Sequence, residues 1–277
     1  MDITKELPTV IAFCAGYGGI ERGLDLAGIE HRVIAYVEIE AFATATLVNK
    51  MEDGIIPPAP IYTDLKTFPA EIFRGRTDII TGGYPCQPFS AAGKRLGADD
   101  PRHVWPHIRR HIESRRPSRV FFENVEGHIS LGLSTVISDL EEDGYRSAWG
   151  IFSAEEVGAP HRRKRVYILA NPTGHGGGRE LRKLSKPNEG VRASKECREN
   201  PASESDHAGK DGKDQEPNDE LATRCDSKQL WAWPPEPRVG RVVDGCADRV
   251  DRIRLLGNGV VPATAAKAWL TLNEERL

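Results

Sequence analysis

The sequence predicts an α/β fold in which an open, mostly parallel sheet carries a smaller, loop-rich appendage. Two observations lead to this prediction. Short apolar runs alternate with helix-like stretches from Thr9 to Asn171, which is the pattern of parallel strands joined by crossover helices. After Asn171 the aliphatic periodicity nearly disappears, and it returns only near the C-terminus.

The predicted elements follow one another in a regular order. A strand over 9–15 leads into a helix over 19–28, and a strand over 31–38 leads into a helix over 41–51. A third strand is expected to end near Asp64, and a fourth covers 78–83. Beyond it come a strand over 118–125, a helix over 133–144 and strands over 145–154 and 163–171. Pro262 suits the first turn of a closing helix, because its fixed φ is compatible with that position.

Three segments are therefore expected along the chain. Residues 1–170 form the main α/β domain. Residues 171–252 are rich in Gly, Ser, Asn, Pro and charge, and we expect this region to be partly irregular or disordered. Residues 253–277 return to the main domain.

Composition limits the class of protein. The chain has 277 residues, 39% hydrophobic and 29% charged, with a formal net charge of -3, which describes a soluble globular protein and excludes a wholly basic nucleic-acid coat protein. No apolar run approaches the roughly 20 residues of a membrane span, and the start lacks a signal peptide, so we expect a cytoplasmic protein and no membrane partner. Five cysteines without short pair spacing indicate reduced thiols and no metal site.

A glycine-rich turn follows the first strand in FCAGYGGIERG, where a doubly wound sheet lets a ligand approach the backbone. Its GxGG pattern differs from the GxGxxG of pyrophosphate binders. Glu38 and Asp64 end the second and third strands, where carboxylates can accept hydrogen bonds from ribose hydroxyls or lie near an adenine edge. The combination suits a nucleoside without phosphate, such as S-adenosylmethionine; a tight turn and solvated strand ends are the alternatives.

Cys86 stands in the stretch TGGYPCQPFS, directly after an apolar run. Gly82 and Gly83 permit a sharp turn, while Pro85 and Pro88 stiffen the loop on both sides. Such a loop can hold a thiol at the open end of the sheet, and the thiolate form is a strong nucleophile. We interpret Cys86 as a nucleophile, with a buried inert thiol as the alternative.

Polar residues at two later strand ends complete the candidate site. Glu123 and Asn124 end the very apolar strand in FFENVEG, so the Glu123 carboxylate should be desolvated and its pKa raised, as suits proton donation. Helix capping is the alternative for Glu123. Arg163 and Arg165 alternate at the start of the last strand and should share a face, where Glu123, a base edge or a phosphate could accept from them. A solvated basic run is the alternative.

The ordered motifs PCQ (85–87), ENV (123–125) and RxR (163–165) resemble those of the cytosine-C5 DNA methyltransferase family. The resemblance extends to AGYGG (15–19), DPR (100–102) and GNGVVP (257–262), and so covers most of the chain outside the polar insert. It implies the Rossmann-like, S-adenosylmethionine-dependent methyltransferase fold. It also implies that residues 171–252 form the target-recognition region.

The resemblance assigns a role to each candidate residue. Cys86 would add to C6 of cytosine, Glu123 would protonate N3, and Arg165 with Arg163 beside it would hold O2; Pro85 and Asn124 belong to the same catalytic set. The implied S-adenosyl-L-methionine contacts are Phe13, Cys14, Ala15, Gly16, Gly18, Gly19, Glu38, Ile39, Asp64, Leu65, Gly83 and Asn258. The implied DNA contacts are Gln87, Ser90, Lys94, Arg95 and Arg102, on a loop that would close over a flipped-out base.

Two positions depart from the family pattern. Cys14 replaces the phenylalanine that packs on adenine, with Phe13 one residue earlier, and His161 replaces the glutamine of the arginine motif. The resemblance implies double-stranded DNA as the substrate and a cognate restriction endonuclease as a possible partner, or a phage origin. It also implies a monomeric enzyme without a metal. The alternatives are a methyltransferase acting on transfer RNA, a catalytically inactive DNA-binding relative, and a dinucleotide oxidoreductase. The last explains neither the Pro-Cys-Gln loop nor the paired arginines.

Overall fold

The computed structural model of the chain describes residues 7–85, 104–174 and 255–274. Seven strands lie in these ranges: β1 (Thr9–Phe13), β2 (Arg32–Val37), β3 (Ile61–Tyr62), β4 (Ile79–Gly82), β5 (Arg119–Val125), β6 (Tyr145–Phe152) and β7 (Arg165–Pro172). Six α-helices lie wholly within the same ranges: α1 (Gly19–Leu26), α2 (Ala41–Glu52), α3 (Trp105–Arg115), α4 (His128–Leu131), α5 (Leu133–Glu142) and α6 (Pro262–Glu274). Short 3-10 turns occupy Ala70–Phe73 and Glu155–Val157.

All seven strands form one sheet in the order β3-β2-β1-β4-β5-β7-β6. The pairs β2–β3, β1–β2, β1–β4 and β4–β5 are parallel, whereas β7 lies antiparallel between β5 and β6. The mostly parallel α/β sheet predicted from the sequence is therefore confirmed. From β1 the chain adds β2 and β3 on one side of the sheet, and then returns to add β4 on the other side of β1. This change in the order of the strands leaves a crevice at the carboxyl ends of β1 and β4, where open α/β sheets bind ligands.

Both faces of the central strands are covered, which explains their continuous apolar sequences. On one face, Phe13, Ile80 and Phe122 pack in a cluster with residues of α3 and α5. On the other face, Phe121 and Leu169 pack in a cluster with residues of α1 and α6. The sheet is thus held between two helical layers, and its strand ends are fixed from both sides.

Helices α1 and α6 approach each other closely, which joins the C-terminal segment to the glycine turn. A Cβ at Gly23 would lie 2.6 Å from Cβ of Ala265 and 2.9 Å from the carbonyl oxygen of Pro262. A Cβ at Gly19 would lie 2.5 Å from the carbonyl oxygen of Val260. Only glycine fits at these two positions without displacing backbone.

The structure differs from the sequence predictions at several boundaries. Strand β1 ends at Phe13 rather than residue 15, because Cys14 adopts a positive φ of 48°. Helix α3 was not predicted; it begins with Pro at its second residue and ends in an αL residue at Arg116. Strand β7 begins only at Arg165 and runs to Pro172, two residues beyond the expected domain boundary. No helix within the described ranges is long and apolar enough to cross a membrane.

Candidate active site

The glycine turn between β1 and α1 is shaped by left-handed backbone. Cys14, Gly16 and Gly18 have φ values of 48°, 55° and 81°. The Gly18 N–H donates to the Ala15 carbonyl at 2.9 Å, which closes the turn. The space around the position of a Cβ at Gly16 is open to at least 4 Å within the described protein, so a ligand can approach this backbone.

Glu38 fastens the glycine turn to the end of β2. Its carboxylate accepts from the Gly16 N–H at 2.7 Å and from the Glu40 N–H at 2.8 Å. The next residue, Ile39, leaves 74% of its surface exposed. A fixed carboxylate beside an exposed apolar side chain provides the two kinds of contact that a nucleoside needs, for its ribose hydroxyls and its base.

Phe13 is fully buried, whereas Cys14 is only partly buried. The Phe13 side chain is 0% exposed, and its ring packs on Phe68 at 5.7 Å and on His111 at 5.3 Å between ring centroids. Enclosed in this way, the Phe13 ring has no surface left for a ligand. Cys14 keeps part of its surface accessible, and burial, with a smaller contribution from Glu38, raises the pKa of its thiol to about 12. Cys14 is therefore a neutral side chain, unsuited to nucleophilic attack.

The turn after β3 is held from the side by α3. Asp64 accepts the Lys66 N–H at 2.8 Å, and the Leu65 carbonyl contacts Nε2 of His111 at 3.1 Å. A carbonyl oxygen only accepts, so Nε2 of His111 carries the hydrogen. Burial, together with the neighbouring Arg115, lowers the pKa of His111 to about 4 against the opposing effect of that hydrogen bond. A neutral imidazole therefore anchors the Asp64–Leu65 turn.

Glu123 lies buried at the end of β5, paired with the first residue of β7. Its carboxylate is 2.9 Å from Nε of Arg165, and the residue is 6% exposed. Burial raises the pKa of Glu123 to about 7, although Arg165 and Arg163 both act to lower it. Desolvation outweighs the two guanidinium groups, so this carboxyl group exchanges its proton near neutral pH.

Arg163 does not share a strand face with Arg165, contrary to the sequence prediction. It precedes β7 with a φ of 30°, so the extended geometry assumed from the alternating pattern does not apply. Its guanidinium donates instead to the carbonyl of Gly259. The two arginines therefore have different partners inside the protein, although both lie close enough to Glu123 to affect its pKa.

The segment leading to Cys86 is anchored by buried side chains. The amide of Asn124 donates to the Tyr84 carbonyl at 3.0 Å, and the Tyr84 hydroxyl lies 2.9 Å from Nε2 of His128. A Cβ at Gly83 would lie 3.4 Å from the Glu123 carboxylate, which brings this backbone against the acid. Asn124 is thus a positioning residue for the backbone just before Cys86.

Of the remaining predicted site residues, only some lie within the described ranges. Asn258 is exposed, next to the buried Gly259, and Pro85 is exposed at the end of a described range. Outside the described residues lie Cys86, Gln87, Ser90, Lys94, Arg95 and Arg102, and nearly all of the predicted recognition region. The described ranges contain no group of three or more His, Cys, Asp and Glu side chains that would hold a metal ion.

Sequence reasoning missed four residues that shape this site. His111 and His128 lie on helices, where no local sequence pattern identifies them. His111 contacts the Leu65 carbonyl in the turn after β3, and His128 contacts the Tyr84 hydroxyl in the segment after β4. Tyr17 and Lys50 contact each other at the glycine turn, Nζ of Lys50 donating to the Tyr17 carbonyl at 2.7 Å. Tyr17 was visible only as the one non-glycine residue in the central GYGG of the motif.

Comparisons with known proteins identify similar sequences. A model of the family described as C-5 cytosine-specific DNA methylase matches residues 9–229. The chain is 34% identical over 167 residues to Type II methyltransferase M.NgoMIV of Neisseria gonorrhoeae, covering 58% of this chain and 51% of that protein. It is 32% identical over 165 residues to Type II methyltransferase M.NaeI of Lentzea aerocolonigenes, covering 58% and 39%. The chain thus spans about half or less of the length of these relatives.

Solved structures share the fold. The DNMT2 protein of Spodoptera frugiperda superposes with a TM-score of 0.52 at 20% identity, covering 63% of this chain and 56% of that one. The Dnmt2 methyltransferase of S. pombe superposes with a TM-score of 0.51 at 23% identity, covering 67% and 58%. At these identities the likeness extends to the fold alone.

Proposed function

Because this chain belongs to the C-5 cytosine-specific DNA methylase family, we propose that it transfers a methyl group from S-adenosylmethionine to C5 of cytosine in duplex DNA. The observation that carries the proposal is the buried Glu123–Arg165 pair, 2.9 Å apart, set against the backbone that leads to Cys86. A carboxyl group that exchanges its proton near pH 7 beside a fixed guanidinium suits a reaction that builds negative charge on a ring nitrogen and a carbonyl oxygen.

In the proposed reaction Cys86 acts as the nucleophile. Its thiolate forms an Sγ–C6 bond, and the electron pair displaced from the C5–C6 double bond makes C5 nucleophilic. Glu123 supplies the proton that N3 gains during this addition, and Arg165 donates to O2. C5 then forms a bond to the methyl carbon while the bond from that carbon to the sulfonium sulfur breaks, which leaves a thioether. A base removes the C5 proton, N3 returns its proton to Glu123, the C5–C6 double bond re-forms, and the Sγ–C6 bond breaks to release the Cys86 thiolate.

The crevice fits S-adenosylmethionine, which when bound would supply a methyl group attached to a sulfonium sulfur. Glu38 would accept from the ribose hydroxyls, Ile39 would cover the base, and the glycine turn with its open space at Gly16 would lie along the remainder. Asp64, on the turn held by His111, would lie near the adenine edge. Cys14 offers a small neutral side chain in place of an aromatic ring.

Duplex DNA is the proposed substrate, and a cytosine within it must be flipped out before a thiol can reach C6, at a cost of a few kcal/mol. We propose that Lys94 and Arg95 lie on a loop, containing two glycines, that closes over the flipped base. Residues 171–252 are the proposed recognition region. The names of the relatives, Type II methyltransferases, favour a restriction-modification setting with a cognate endonuclease.

Expression in a bacterial host that lacks cytosine methylation tests the proposal. We expect 5-methylcytosine at one defined sequence in the DNA of cells expressing the wild type, and none in cells expressing Cys86→Ala. Unmodified DNA with both proteins would count against the proposal. Parallel assays of the purified protein with genomic DNA and with transfer RNA separate the proposed substrate from the alternative one, since methyl incorporation into transfer RNA alone would reassign the enzyme.

A further inference from the structure

Tyr17 connects the glycine turn to the C-terminal segment that precedes α6. Its main-chain carbonyl accepts from Nζ of Lys50 at 2.7 Å, and the same ammonium group lies 5.0 Å from the centre of the Tyr17 ring. Its hydroxyl donates to the carbonyl of Val260, a residue 243 positions away in the chain. The tyrosine is therefore fixed at both ends, one end on the turn and the other on the C-terminal segment.

Gly259 is closed against a side chain by the Tyr17 ring. A Cβ at position 259 would lie 1.8 Å from Cε1 of Tyr17 and 2.7 Å from its Cδ1, distances that no real contact permits. By contrast, a Cβ at Gly257 in the same motif would meet nothing within 4 Å. The aromatic ring thus lies directly on the Gly259 backbone.

The carbonyl of the same residue accepts a hydrogen bond from the guanidinium of Arg163. Arg163 is half-buried and has a φ of 30°, an unfavourable conformation for a residue with a side chain, so its placement depends on contacts such as this one. Gly259 is thereby contacted both by the tyrosine of the glycine turn and by the first arginine of the RxR motif.

The neighbouring Val260 extends this connection to Gly83, in the segment before Cys86. Its carbonyl oxygen would be 2.5 Å from a Cβ at Gly19, and its Cγ2 would be 3.6 Å from a Cβ at Gly83. The 259–260 segment therefore touches the beginning of α1 and the backbone three residues before Cys86. A shift of this segment would move several parts of the site together.

We propose that Tyr17 is a positioning residue that places Arg163 through the Gly259–Val260 segment, so that the glycine turn and the first arginine of the RxR motif keep a fixed relation. Its consequence for catalysis rests on the proposed function. The ring fixes the Gly259 backbone by contact, and the hydroxyl fixes the Val260 carbonyl by a hydrogen bond. These contacts orient the Gly259 carbonyl, which accepts from the Arg163 guanidinium and so sets the position of that side chain.

A double-mutant cycle of Tyr17→Phe and Arg163→Met tests the connection in two ways. In urea unfolding, each variant changes the unfolding equilibrium constant relative to wild type by a measurable factor. The factor for the double mutant should differ by about threefold or more from the product of the factors for the two single mutants, as expected for residues that share a partner. In assays with genomic DNA free of 5-methylcytosine, Tyr17→Phe should lower kcat/KM for DNA about tenfold, because it leaves the Val260 carbonyl without its donor. The double mutant should be no worse than Arg163→Met alone.

The inference would be overturned if the two residues act independently in both cycles. In that case the losses in kcat/KM multiply in the double mutant, and the changes in unfolding free energy add. If the wild type transfers no methyl group to DNA, the proposed function fails and the unfolding cycle alone decides the inference. A second pair of variants guards against misfolding. Gly259→Ala should displace the Tyr17 ring and lower kcat/KM at least as much as Tyr17→Phe, whereas the matched Gly257→Ala should behave as wild type; equal effects of the two alanines would also overturn it.

Discussion

Replacing Glu123 by glutamine isolates the energetic effect of burying this carboxyl group. In the folded protein the pKa of Glu123 is about 7, raised by burial from the usual 4.5 against the opposing effect of the two arginines. In the unfolded chain the same group returns to its usual value. Between these two pH values the unfolded chain releases a proton that the folded protein still holds, so the folded state loses stability as the pH rises.

The size of this loss follows from the two pKa values. At 1.36 kcal/mol per pKa unit, the difference between 4.5 and about 7 corresponds to roughly 3 kcal/mol. The loss should begin near pH 4.5 and be complete just above pH 7. Glutamine does not titrate, so Glu123→Gln should lack this part of the pH dependence, whatever constant offset arises from leaving Arg165 without its acid.

Urea unfolding at a series of pH values from 4.5 to 8.5 measures the effect, with the fluorescence of the buried Trp105 and Trp269 as the probe. The difference in unfolding free energy between Glu123→Gln and wild type should shift in favour of the mutant by roughly 3 kcal/mol across this range. Glu126→Gln, which alters an exposed carboxylate on the same segment, is the matched control. A difference that stays constant with pH would show that Glu123 does not titrate between its usual pKa and neutral pH in the folded protein.

Two further predictions concern backbone placement. Asn124→Ala removes the donor to the Tyr84 carbonyl, and should cost about 1–3 kcal/mol of unfolding free energy; methyl transfer should fall by about tenfold or more as the backbone before Cys86 loses its anchor, and unchanged turnover would contradict the positioning role. Gly23→Ala puts a methyl group 2.6 Å from the Ala265 side chain, and should destabilise the protein by about 1–3 kcal/mol in thermal unfolding despite the better helix propensity of alanine. Gly127→Ala, where the space is open, provides the comparison, and a Gly23→Ala protein as stable as this control would argue against the close approach of α1 and α6.

The sequence revealed the parallel strands because they are buried on both faces and therefore read as continuous apolar runs. It could not reveal that β7 inserts antiparallel between β5 and β6, since apolar periodicity carries no information on strand direction. Helix α3 escaped prediction because its Trp-Pro start and its run of arginines and histidines hide the apolar face formed by Ile108 and Ile112.

The candidate site shows the same division between local and distant information. The raised pKa of Glu123 follows from an acid placed after two phenylalanines, which is a local pattern. The prediction that Arg163 and Arg165 share a face was wrong because it assumed extended backbone where Arg163 has a positive φ. The contact of Tyr17 with Gly259 joins opposite ends of the chain, and no local pattern could indicate it.

Covalent trapping shows whether cytosine is methylated through a bond to Cys86. Genomic fragments would be amplified with 5-fluoro-2′-deoxycytidine triphosphate in place of deoxycytidine triphosphate, then incubated with the protein and S-adenosylmethionine. After methylation C5 carries fluorine instead of a proton, the elimination that releases the enzyme is blocked, and the Sγ–C6 bond persists.

Peptide mass spectrometry of the trapped complex then identifies the bonded residue. We expect a nucleotide adduct on Cys86 that requires S-adenosylmethionine, and no adduct with Cys86→Ala. An adduct on another residue, or methylation of ordinary DNA by a wild-type protein that forms no adduct with the fluorinated DNA, would contradict it.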